Sequence, residues 1–328
     1  MNPSDFPPVP LGAWVEIPRI PLGAWVEDGI DWLTDNAAWL FDAFSTVMTF
    51  LISNLETALV SVPALVAILI FGLIGWFFRS WRLALGVILA FLLVVSMGQW
   101  NQLLQTMALV LVATLVAVII AVPLGIWAAK SQTVSTIIRP VMDFMQTMPA
   151  FVYLIPAVTF FSIGVVPGLF STIIFALPPG VRLTELGIRQ VDAETVEAGE
   201  AFGASSWQIL RGIQLPLAVP TIMAGVNQVI MLSLSMAVIA GMVGAPGLGQ
   251  EVVSAIATLD LAKGVEAGLS VVFLAVFLDR LTAALGDSTK YPASLRAKLR
   301  SRRRASATSH TSAEAEQNIA AGASAPIV

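Results

Sequence analysis

Residues 197–220 read EAGEAFGASSWQILRGIQLPLAVP, a charged, helix-prone segment set between two long apolar runs. Its spacing is regular: Glu197-Ala198-Gly199, three residues, Gly203, nine residues, Ile213, one residue, then Leu215-Pro216. Residues 193–202 are good helix formers, with Glu194 and Glu197 near the start, where the helix dipole favours anions. Ala198, Gly199, Ala201 and Gly203 let a backbone face come close to whatever it meets, and Gly203 also permits a sharp turn. Ser205 or Ser206 can cap a second short helix over 207–212, whose Trp207, Ile209 and Leu210 offer an apolar knob. Pro216 then suits the first turn of the next helix. The stretch predicts a rigid helix–turn–helix shaped to dock into a partner's groove.

The surroundings of that segment set the fold class. Of 328 residues, 57% are hydrophobic and 12% charged, with a mean hydropathy of +0.86. A soluble domain of this size carries about twice that share of charge. Apolar runs at 62–78, 83–98, 103–129, 144–163, 169–186, 217–243 and 264–285 are each candidates to cross a bilayer core. An all-α polytopic membrane protein with about seven transmembrane helices is expected. Pro149, Pro156, Pro178 and Pro179 interrupt the fourth and fifth runs, which neighbouring helices can tolerate.

Ahead of these runs, residues 1–28 are Pro-rich and repeat VPLGAWVE (9–16) as IPLGAWVE (20–27), a turn-rich lead-in without the basic region of a signal peptide. Residues 29–60 mix Trp32, Trp39, Phe41 and Phe44 with Asp31, Asp35 and Asp42, the pattern of an amphipathic helix lying on a membrane surface. Asn54 and Glu56 argue against a span in its second half. At the other end, 287–304 are basic and 305–328 small and polar, the composition of a disordered tail.

Charge gives orientation. If the seven runs all cross, 15 of the 17 Lys and Arg residues fall on one side, the side that holds 197–216. The first 61 residues carry eight acids and one base. The positive-inside rule then puts the N-terminus outside and the C-terminus, with the helix–turn–helix, in the cytoplasm. The basic tail would also attract anionic lipid, by about 1 kcal/mol per base near the surface.

Several functions are disfavoured. The chain contains no G-x-x-x-x-G-K-[ST], so it has no phosphate-cradling loop of its own. With no cysteine and only His310, in the tail, it offers neither a thiol metal site nor a catalytic constellation. It is expected not to be an enzyme, to bind no cofactor or metal, and to need no nucleic acid. The Gly-rich GMVGAPGLGQ at 241–250 follows an apolar run and predicts a tight turn. Asp143, Glu185 and Asp279 fall beside Arg139, Arg182 and Arg280, which suggests pairing near the ends of helices rather than an ion-coupling relay.

The Glu197–Pro216 spacing resembles the coupling loop of permease subunits of ABC importers, E-A-A, x3, G, x9, I, x, L, P, with Gly199 at the third position. AVPLGIWAAKS (121–131), IIRPVMDFMQTMPAFVYLIP (137–156), IIFALPPGVRLTELGI (173–188) and PTIMAGVNQVIMLSLSMAVIAGMVGAPGLGQ (220–250) look like the glycine betaine/proline-type subfamily. The resemblance implies a type I importer permease with a core over 103–286 and a coupling loop at 190–216, in an inner membrane. It implies two copies of the chain, two cytoplasmic ATPases holding ATP and Mg, and an extracytoplasmic binding protein that delivers betaine-like osmoprotectants. It assigns ATPase contact to Glu197, Ala198, Gly199, Gly203, Trp207 and Leu210, with Ile213, Leu215 and Pro216 closing the loop. Phe151, Tyr153, Phe160 and Phe161 are candidates for an aromatic path, with packing or lipid contact as the other reading. Choline, carnitine or proline would fit the same class; an ion-coupled carrier or osmotically gated channel is the rival from another.

Overall fold

The computed structural model of the chain describes residues 21–286, and among them every regular element is helical. The first octapeptide copy, the basic stretch 287–304, the tail beyond it and His310 lie outside the described residues. The chain divides into two units, one ending at Asp42 and one beginning at Ala43.

Helix α1 runs Leu22–Val60, with a break at Ala37 where φ is −118° and ψ 19°. Pro21 stands ahead of it, ring-fixed for helix entry, and its carbonyl accepts from Trp25 N–H at 3.2 Å. The lead-in expected up to residue 28 is therefore already helical from Leu22. Trp25, Trp32 and Trp39, in the first unit, are exposed, as suits rings that favour a membrane–water boundary.

The second unit is built around three long helices, α4 (Trp100–Lys130), α7 (Val165–Arg189) and α10 (Leu215–Ala240). Small residues let them approach closely, the packing device of bilayer helices. A Cβ placed on Gly125 of α4 would stand 2.5 Å from Thr184 Cβ of α7, and one on Gly180 would stand 2.8 Å from Ala121 Cβ. These pairs show α4 and α7 running in the same direction. Gly187 meets Thr221 and Gly225 meets Leu183, so α10 runs back against α7. Around this centre pack α2 (Ala64–Phe78), α3 (Trp81–Ser96) and α12 (Leu261–Gly286), joined by edge-on contacts among Phe71, Phe91 and Phe277 at 5.5–5.7 Å.

Among the described residues, five helices are long and apolar enough to cross a membrane, and a sixth crossing arises if one bent pair counts as a span. All seven expected runs are helical, with one correction among them and another ahead of them. α2 and α3 have 15 and 16 residues, or roughly 22–24 Å at 1.5 Å per residue, short of the roughly 30 Å of a hydrocarbon core. They still form a hairpin that runs the length of the bundle and back, from the end where Glu56 meets Gln105 to the end where Arg79 meets Arg280. The fourth run is broken: α5 (Gln132–Thr147) meets the segment Ala150–Phe161, which ends in α6 (Leu154–Phe161), at 108°. Pro149 causes the break, because it drives Met148 to an extended backbone, φ −69° and ψ 133°. Pro178 and Pro179, by contrast, sit buried inside an unbroken α7.

The other correction concerns residues 43–60. They bury Met48 and Ile52 in the core, where a surface helix would rest its apolar face on lipid alone. Composition admits α1 as a span, but its contacts run crosswise. Phe44 packs on Phe161 and Phe170 near the start of α7, and Glu56 accepts from Gln105 Nε2 at 2.9 Å near the start of α4. The second half of α1 thus packs against the starting ends of both helices.

Two ends of the bundle now differ in charge. At the end where α4 and α7 finish, Lys130 reaches Gln214, Arg189 reaches Ala128 and Gln132, and Arg79 reaches the carbonyl of Arg280. At the opposite end Lys263 pairs with Glu251 at 2.7 Å. There 241–250 makes the expected tight turn into α11 (Leu248–Thr258), pinned by Leu248 N–H donating to Thr106 Oγ1 at 2.8 Å.

Candidate functional site

The site grows out of the end of α7. Asp192 caps α8 (Ala193–Ala201), its carboxylate accepting from Glu194 N–H at 3.3 Å and Thr195 Oγ1 at 3.2 Å. The helix closes in a Schellman motif. Gly203 takes φ +79°, its N–H donates to Glu200 O at 2.8 Å, and Ala204 N–H donates to Gly199 O at 3.1 Å. A capping box follows at once: Gln208 N–H donates to Ser205 Oγ at 3.4 Å, and Ser205 N–H to Gln208 Oε1 at 2.7 Å. This opens α9 (Ser206–Ile209), which widens to π geometry over Leu210–Gln214 and continues as α10. Pro216 sits in the first turn of α10, where its missing N–H matters least.

The hairpin has an inner and an outer face. Inside, Leu210 packs with Ile188 and Ala218, bordered by Ile126, Ala129 and Leu215. Gly199 faces the returning limb, where a Cβ would stand 2.9 Å from Ile213 Cδ1. Lys130 Nζ donates to Gln214 Oε1 at 2.8 Å and clasps that limb to the end of α4. Outside, Glu197, Ala198 and Gly203 are exposed, and Ile213 and Leu215 are half-buried. Phe202 is 92% and Trp207 65% exposed, and beside Trp207 lies an apolar groove of about 480 Å³ lined by Pro123, Ile126, Trp127 and Leu210.

The apolar knob expected of Trp207, Ile209 and Leu210 is therefore corrected. Ile209 and Leu210 are 3% and 4% exposed, because each helical step turns a side chain by about 100° and carries them from Trp207 onto the seat. Phe202, which the spacing did not single out, projects in their place. Its signal was available, since the residue before a helix-ending glycine lies at the tip of the turn. Glu194, Glu197 and Glu200 give α8 an acidic outer surface, since all three are exposed.

The four aromatics proposed as a path are not brought together. Phe160 and Phe161 join a cluster with Phe170, on which Phe44 rests. Tyr153 is buried, with its hydroxyl donating to the Met145 carbonyl and its ring 6.1 Å from Phe175. Phe151 is exposed. Packing accounts for three of them. Among the described residues no group of His, Cys, Asp and Glu could hold a metal ion.

Comparison with known proteins adds to this geometry. The family described as "Binding-protein-dependent transport system inner membrane component" matches residues 121–291, which include the hairpin and its seat. The glycine betaine transport system permease protein OpuAB of Bacillus subtilis (strain 168) is 48% identical over 253 residues, 77% of this chain and 90% of that one. The glycine betaine/proline betaine permease protein ProW of Escherichia coli (strain K12) is 47% identical over 282 residues, covering 86% and 77%. The glycine betaine/carnitine permease protein GbuB of Listeria monocytogenes is 47% identical over 295 residues, covering 87% and 99%. With helices long and apolar enough for a bilayer and a family match across its core, the chain belongs to the inner-membrane components of binding-protein-dependent transport systems.

Proposed function

We propose that the chain is the translocating subunit of an ATP-driven importer for glycine betaine and related quaternary ammonium osmoprotectants. A homodimer of it takes substrate from an extracytoplasmic binding protein, and a separate cytoplasmic ATPase docks on the 193–214 hairpin. The observation that carries this reading is the exposed pair Phe202 and Trp207 on a hairpin whose every turn is capped. Large apolar side chains held rigidly outside the bundle fit a partner's pocket, and the acidic face of α8 favours a basic rim around it. The clustering of Arg79, Lys130, Arg139, Arg189 and Arg211 at the hairpin's end supports a cytoplasmic position for it and for the C-terminus. ATP and Mg belong to the ATPase, since the sequence has no phosphate-binding loop. The substrate class rests on the names of the relatives.

Competition tests that class. In cells whose only betaine import runs through this chain and its partners, excess unlabelled glycine betaine or proline betaine is expected to abolish uptake of labelled glycine betaine. Proline is expected to leave it nearly unchanged. Equal competition by proline, or none by either betaine, would assign the importer to another solute.

A further inference from the structure

One buried carboxylate ties together the elements that feed the hairpin. Glu185 of α7 is 5% exposed. Its Oε1 accepts from Ser135 Oγ at 2.7 Å and Arg139 at 2.9 Å, both on α5, and forms an ion pair with Arg189 Nε at 3.0 Å one turn further along α7. Arg189 also donates to the Ala128 carbonyl at 2.9 Å and to Gln132 Oε1 at 3.1 Å, and α8 is capped at Asp192, immediately beyond. A second pair, Arg182 with Asp143, lies one turn away on the same two helices.

These pairs form a ladder between antiparallel helices. Arg139 and Asp143 are four apart on one face of α5; Arg182, Glu185 and Arg189 share one face of α7. Asp143 stands opposite Arg182, Arg139 opposite Glu185, and neutral Gln132 opposite Arg189. A slip of one turn in one direction would set Arg139 against Arg182. A slip in the other would set Asp143 against Glu185. Both put like charges face to face next to a buried carboxylate, where repulsion is least screened.

We propose that this ladder locks α5 to α7 as one body, so that displacement of the hairpin is handed to the bent α5–α6 pair. Arg139 and Glu185 are then positioning residues for transport. This rests on the docking role given to the hairpin above, but the lock itself can be read separately. The chain has no cysteine, so cysteines introduced at the exposed Thr136 and Gln190 can carry spin labels in the full assembly with its ATPase and binding protein.

Within each copy of the chain one narrow, short inter-label distance is expected, unchanged by ATP. Arg139→Glu is expected to broaden it or move it by about one helical turn, roughly 5 Å, and to lower uptake per ATP hydrolysed by about tenfold. The conservative Arg139→Lys, which keeps a positive charge opposite Glu185, is expected to keep the narrow distance and most of the uptake ratio. Should the single reversal fail to assemble, Arg139→Gln carries the test, with a loss of uptake per ATP of about threefold. A wild-type distance that shifts by a turn on ATP binding, or an Arg139→Glu or Arg139→Gln chain with an unchanged uptake ratio, overturns the proposal. The distance does not depend on which solute is carried, so a wrong substrate assignment leaves this test standing, and a sliding helix pair refutes the lock while leaving the importer intact.

Discussion

In the proposed assembly, partner recognition turns on Phe202 and Trp207. Their side chains lie mostly outside the fold, so shortening them removes little internal packing. Phe202→Ala and Trp207→Ala are each expected to weaken retention of the ATPase by about 2 kcal/mol, the scale of an aromatic anchor in a partner's pocket. The melting temperature of the isolated chain in detergent should stay within about 2 °C of wild type, as for surface changes generally. Copurification and thermal melts measure both; retained ATPase in both variants would move the docking site elsewhere. Leu210→Ala should behave in the opposite way. Its side chain is buried against Ile188 and Ala218, and its loss should cost about 2–5 kcal/mol of stability before any effect on recognition. Most of the site at this scale was legible: Gly203 at the turn, the serine cap and Pro216 all follow from local chemistry. The split between Trp207 outside and Leu210 inside was not, because it depends on where α4 and α7 end.

Among the elements, the α10–α11 turn shows most directly how sequence dictates packing. A Cβ on Gly249 would lie 2.5 Å from the Ala237 carbonyl oxygen and 2.7 Å from Val238 Cα. Both are backbone atoms that cannot rotate away. Gly249→Val is therefore expected to destabilise the protein by at least about 1–3 kcal/mol through overpacking, seen as a lower melting temperature and poor recovery from membranes. A wild-type melting curve would contradict the turn as described. The same scale shows the limits of reading hydropathy alone. The seven apolar runs are all helices, and Pro149 announced the break before α6. The lengths of α2 and α3 were legible too, since the apolar runs 62–78 and 83–98 already have nearly the bounds of the helices. The seating of α1 on the bundle was hidden, since Met48 and Ile52 look the same facing lipid or core.

At the scale of the whole molecule, the proposal places the hairpin and the basic end in the cytoplasm and the Gly-rich turn outside. Single cysteines in this cysteine-free chain test it. At Glu200, a cysteine is expected to react with a membrane-impermeant maleimide only after the membrane is opened, whereas at the exposed Leu259 it should react in intact cells. The reverse pattern would invert the topology and remove the hairpin from any cytoplasmic ATPase. The most direct test of the central claim is uptake of labelled glycine betaine into proteoliposomes holding this chain, its cognate ATPase and its binding protein, with ATP inside. Accumulation that needs all three proteins and ATP, and is lost when Phe202 and Trp207 are both replaced by Ala, is the predicted result. Accumulation by this chain alone, driven by an ion gradient and indifferent to ATP, would contradict it.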